Sequence, residues 1–75
     1  MKFEVGKVYT VKLGRKHSGT VIKAKYIEYR KIDDSHVVQS ISVVKLNGSI
    51  YLRDMIENGT HFIVGEEQIN EIGGA

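Results

Sequence analysis

The stretch His36–Arg53, HVVQSISVVKLNGSIYLR, decides how this chain is read. It holds two extended apolar runs joined by Asn47-Gly48, the dipeptide best suited to a type I′ turn, whose two central residues both need φ > 0. A two-residue turn sets Lys45 opposite Ile50, Val44 opposite Tyr51 and Val43 opposite Leu52. Ile41, Val43, Ile50 and Leu52 then share one face and form a wall of the core. The pattern predicts a central hairpin that the rest of the chain must cover.

Upstream, Phe3, Val5, Tyr9, Val11 and Leu13 alternate with mostly polar residues, which predicts a half-buried strand over Phe3–Leu13. Gly14-Arg15-Lys16-His17-Ser18-Gly19 interrupts it as a cationic loop between two glycines. A second strand runs from Thr20 to about Lys31, with Ile22, Ala24 and Tyr26 on one face and Lys23 and Lys25 on the other. Its phase slips at Tyr26-Ile27, which predicts a bulge or bend there. Asp33-Asp34-Ser35 supplies turn chemistry. Downstream, Asp54–Gly59 reads either as a second Asn-Gly hairpin, which would mix the faces of Ile56 and His61, or as a single helical turn capped by Asp54 and stopped by Gly59, which fits better. Thr60–Val64 reads as a short strand, Gly65–Gln68 as a tight helical turn and Ile69–Ile72 as a last edge strand or short helix. Gly73-Gly74-Ala75 is expected to be a disordered tail.

These 75 residues bound one domain, 1–72, with a thin core, since a chain this size buries only about 60–65% of its unfolded surface. With no cysteine there is no disulfide and no thiolate metal site. No apolar run reaches the roughly 18 residues needed to span a membrane, and MKFEVGKVY lacks a signal-peptide core, so a cytoplasmic protein is expected. The net charge of +2 is unevenly spread: residues 1–31 carry +7 and residues 32–75 carry −5. Either a basic patch attracts polyanions, or the two halves interleave and partly neutralise each other.

The segment Val8–Ala24, VYTVKLGRKHSGTVIKA, resembles the KOW-type small barrels of ribosomal and transcription-elongation proteins, which have an SH3-like fold. FIVGEEQINEI is similar to the strand, 3₁₀ turn and strand that finish many such barrels. The resemblance implies that the loop residues Gly14, Arg15, Lys16, His17 and Gly19 meet RNA or a protein neighbour. Val44–Gly48 is similar to a turn of the Sm-type fold, though Arg53 stands where that family has a glycine.

Catalytic groups are sparse. Adjacent residues of a strand point to opposite faces, so Ser35 and His36 make no nucleophile–base pair if extended. Asp33-Asp34-Ser35-His36 has no second cluster to complete a metal site, and His61 beside Phe62 reads as a half-buried packing residue. Gly14 and Gly19 are not followed by the Lys-Ser/Thr of a phosphate-binding loop. The reading is a non-enzymatic all-β binding module, an SH3-like barrel or rolled antiparallel sheet of five to six strands. At most one or two short helical turns interrupt it, and no metal or cofactor is expected. Its expected core is Val5, Tyr9, Val11, Ile22, Ala24, Ile41, Val43, Ile50, Leu52 and Phe62. The expected partner is nucleic acid, met through Arg15, Lys16, His17, Lys23, Lys25, Arg30 and Lys31, with Tyr29 available to stack on a base. The alternative is a protein-binding adaptor or inhibitor, of the kind phages and mobile elements encode, acting on a larger host protein through a sheet edge or the acidic C-terminal third.

Overall fold

A computed structural model describes residues 3–71. Five strands form one antiparallel sheet: β1 (Val8–Lys12), β2 (Val21–Arg30), β3 (Ser35–Lys45), β4 (His61–Val64) and β5 (Ile69–Glu71), in the order β4-β3-β2-β1-β5. Single 3₁₀ turns occupy Arg15–His17 and Glu66–Gln68, and one α-helix, α1, spans Ile50–Glu57. This is the small rolled-sheet architecture that the alternating patterns predict. The tail 73–75 lies outside the described residues.

Long strands roll because their register slips. Pairing passes from Tyr26↔Val38 to Glu28↔Val37 and leaves Ile27 unmatched, at the phase break visible in the sequence. Two further slips leave Ile41 and Val44 of β3 without partners on β2. Each extra residue bends its strand and increases the local twist.

The predicted hairpin at Asn47-Gly48 is absent. Neither residue is among those with positive φ, so no type I′ turn exists there. Instead Asn47 is tied to the β1–β2 loop: its amide Nδ2 donates to the Ser18 carbonyl at 3.0 Å and its backbone N–H donates to Thr20 Oγ1 at 3.0 Å. The chain then enters α1, with Ser49 in the N-cap position and its carbonyl accepting from Leu52 and Arg53. Leu52 and Ile56, four residues apart, are the buried stripe of this helix. Spacing of four outweighed the Ile50/Leu52 alternation that suggested a strand. The end of the helix falls where expected, Asn58 closing it and Gly59 following at φ +78°. Its start does not, since Ser49 rather than Asp54 opens it.

The core changes accordingly. Tyr9, Val11, Ile22, Ala24 and Leu52 are buried as expected, with Val43 and Phe62 packed partly exposed against them. Ile50 is 69% exposed because it sits on the outer side of α1, and Ile41 is exposed because it is a bulge residue. Val5 is exposed because residues 4–7 turn rather than extend: Lys7 N–H donates to the Glu4 carbonyl, and Gly6 adopts φ +87°. β1 therefore begins at Val8 rather than Phe3. Phe3, Leu13, Tyr26, Val38, Ile56, Val64 and Ile69 complete the buried set.

At one end of the core the rings of Phe3, Tyr9, Tyr26 and His36 meet, Phe3 edge-on to both Tyr9 and His36 at 5.3 Å. His36 Nδ1 and the Tyr26 hydroxyl share a 2.7 Å hydrogen bond, which satisfies two polar atoms buried on the inner face. Ser40 Oγ, also buried, donates to the Ile56 carbonyl at 2.7 Å and pins α1 to β3.

Candidate functional site

Strand alternation and the register place each candidate cation. On β2 the buried Ile22, Ala24 and Tyr26 face inward, so Lys23 and Lys25 face out. Thr10 and Ser42 flank Lys23 on either side, and Val8 and Gln39 flank Lys25. One row further, Val21 lies between Lys12 and Lys45. The convex face of β1-β2-β3 thus carries Lys12, Lys23, Lys25 and Lys45 among small or uncharged neighbours. Successive rows are about 6.8 Å apart along a strand.

No carboxylate is within ion-pairing distance of these four lysines among the described residues. Asp54 and Glu57 are on α1, and Glu66 and Glu67 are on the second 3₁₀ turn. Glu28, opposite Val37, is on this same outer face, one row beyond Lys25 and Gln39, with no lysine within ion-pairing distance among the described residues.

The remaining sequence candidates are elsewhere. Arg15, Lys16, His17 and Arg30 border a groove of about 810 Å³ between the β1–β2 loop and β4. Arg15, at φ 56°, occupies a backbone region that is sparse for L-residues. His17 is half-buried, its ring edge-on to Phe62 at 6.4 Å, so it closes the groove rather than projecting from it. Arg30 reaches Asp33 at 3.5 Å. The Asp33 carboxyl is held below its ordinary range chiefly by the Ser35 hydroxyl, which donates to it at 2.6 Å, and further by Arg30. Asp33 therefore stays ionised and partly neutralises Arg30 at neutral pH. Lys31 is exposed in the β2–β3 turn.

Tyr29 does not sit among the lysines. Its register partner is the buried His36, so it belongs to the opposite face, with the two rings 5.3 Å apart. Its hydroxyl donates to Asp34 at 2.6 Å, an interaction that, ahead of other causes, raises the phenol above its ordinary range. Burial likewise raises the Tyr26 phenol. The sequence grouped Tyr29 with the cations by proximity, and the Ile27 bulge separates them.

Among the described residues, the serine and histidine candidates are held apart. Ser35 is engaged by Asp33 and His36 by Tyr26, on opposite faces of β3. His61 is exposed on the outer face rather than half-buried, because its register partner Gln39 also faces out. Among the described residues no group of three or more His, Cys, Asp or Glu side chains converges as a metal site would require. No described helix is long and apolar enough to cross a membrane.

Lys12 and Lys45 were missed as members of the basic face. Their alternation was visible, but their proximity to Lys23 depends on the β1-β2-β3 pairing. In comparisons with known proteins, no family model, no curated protein and no solved structure matches the chain.

Proposed function

We propose that this domain binds nucleic acid through the convex face of β1-β2-β3, the phosphate backbone lying across Lys12, Lys23, Lys25 and Lys45. The observation that carries the reading is the placement of Lys23 and Lys25 on the central strand, with a further lysine on each neighbouring strand and no ion-paired carboxylate among the described residues. An outward array of ammonium groups without ion-pair partners attracts phosphates and releases their counterions. Among the described residues, β1-β2-β3 direct no aromatic ring to this face, and the imidazole of His61 lies beside it on β4, so contact is chiefly with the backbone and sequence preference is low.

With four phosphate contacts, affinity for a single strand falls with salt at a log–log slope of about −3. Changing Lys23 and Lys25 together to Gln should weaken binding to labelled oligothymidylate and reduce that slope by about 1.4, with the fold unchanged. Fluorescence anisotropy across a salt series measures both. A slope that is flat, or that ignores the double substitution, would overturn the proposal.

The adaptor reading rests on a different observation, the exposed Tyr51 and Met55 one turn apart on the outer side of α1. A pull-down with nuclease, repeated with Tyr51→Ser and Met55→Ser, tests it, because a protein held by α1 survives digestion of nucleic acid but is lost from that double variant.

A further inference from the structure

The groove beside β4 has chemistry unlike that of the lysine face. β4 pairs with β3 on one side and ends the sheet on the other. Its hydrogen-bonding phase follows from one contact. Ser40 N–H donates to the Thr60 carbonyl at 2.9 Å, so the bonded pairs continue as Val38/Phe62 and His36/Val64. In an antiparallel ladder bonded and non-bonded pairs alternate, so His61 and Ile63 direct their N–H and C=O groups away from β3. Neither N–H has an acceptor among the described residues.

Ile63 of that edge lines the groove, with Phe62 and Val64 contributing apolar surface, and His61 continues the edge just outside it. Arg15 and Lys16 of the β1–β2 loop and Arg30 of β2 line the same groove. Arg15 and Lys16 have no ion-pair partner among the described residues, and Asp33, already engaged with Arg30 and Ser35, is the one carboxylate in the lining. Unpaired backbone and unneutralised cations at the same groove define an occupant: an extended backbone bearing negative side chains. A nucleic-acid strand supplies the charge but lacks the alternating amide and carbonyl groups that a strand edge reads.

We infer that the β4 edge takes up an acidic segment of a partner protein as an added strand, with its carboxylates on Arg15 and Lys16. Main-chain bonds to His61 and Ile63 give affinity, and the cations give orientation and selectivity. The site is separate from the lysine face, and its occupation does not depend on the nucleic-acid reading.

The edge geometry offers a discriminating variant. Proline at position 63 removes an N–H that β3 does not use, so Ile63→Pro blocks strand addition while preserving the β3–β4 ladder. Ile63→Ala retains the N–H and serves as the comparison. The probe is a blocked peptide of alternating Glu and Val, about eight residues long, with a Lys-Val counterpart. Binding of the Glu-Val peptide should slow hydrogen exchange at the His61 and Ile63 amides. Its affinity should fall at least about tenfold in Ile63→Pro and in Arg15→Ser with Lys16→Ser, and by much less in Ile63→Ala. The Lys-Val peptide should not bind, and oligothymidylate should not displace the Glu-Val peptide. Undiminished affinity in Ile63→Pro that remains folded by circular dichroism would overturn the inference. So would equal binding of both peptides, displacement by oligothymidylate, or no binding of the acidic peptide at millimolar concentration. Protection of the His61 and Ile63 amides by self-association in the free protein would overturn it as well, since the edge would then belong to a second copy.

Discussion

Replacing Ile56 with alanine is expected to destabilise the protein by about 2–5 kcal/mol, while the same change at Ile50 should stay within about 0.5 kcal/mol. Ile56 is fully buried where α1 meets β3, and removing its outer carbons leaves a cavity that the surrounding sheet cannot close. Ile50 is already 69% exposed and loses little. In so small a domain the Ile56 change should lower the melting temperature by roughly 10 °C or more. Thermal unfolding of the two variants measures both. A hairpin through Asn47-Gly48 requires the reverse order, because Ile50 would then be a core residue and Ile56 would lie in a turn. Equal or inverted effects would contradict the helix.

The second large effect is expected at Gly19. Its φ of +94° is one that L side chains rarely adopt, and an added Cβ would lie 2.5 Å from Asn47 Nδ2. Alanine there must strain the backbone and displace the amide that holds the Ser18 carbonyl. The cost should be roughly 2–3 kcal/mol, combining the left-handed penalty with one lost hydrogen bond. Gly19→Ala combined with Asn47→Ala relieves the collision but not the backbone strain, so the double variant should be less destabilised than the sum of the singles. Strict additivity in chemical denaturation would show that the two loops do not touch. The contact matters for the groove too, because the loop between Gly14 and Gly19 carries Arg15 and Lys16.

Asn47-Gly48 shows where local pattern ceases to decide structure. The dipeptide is compatible with a hairpin, but its amide and backbone N–H are used by Ser18 and Thr20, almost 30 residues earlier in the chain. No local rule anticipates that partnership. The buried Leu52–Ile56 spacing was readable, and it competed with an Ile50–Leu52 alternation over too short a window for either period to prevail. β2 was legible because ten residues of alternation and one phase break left little choice. β4 and the second 3₁₀ turn were legible from Gly65 between them, whereas β5, which follows that turn without a glycine, was readable as either an edge strand or a short helix.

The candidate site was legible in part for the same reasons. Lys23 and Lys25 follow from the alternation of β2 alone. The addition of Lys12 and Lys45 requires pairing, and the removal of Tyr29 to the other face requires the bulge at Ile27. Arg15, Lys16 and Arg30 read as one basic patch with the lysines when ordered along the chain. Folding places them instead around a groove also lined by β4, roughly 45 residues later in sequence.

Amide chemical-shift mapping during titration with oligothymidylate at low salt tests the lysine face most directly. The largest changes should fall on Lys12, Lys23, Lys25 and Lys45 and on their flanking residues Thr10 and Ser42, and should vanish as salt is raised. Changes confined to the β4 groove, or to Tyr51 and Met55 on α1, would contradict nucleic-acid binding by this face, as would a spectrum that the oligonucleotide leaves unaltered.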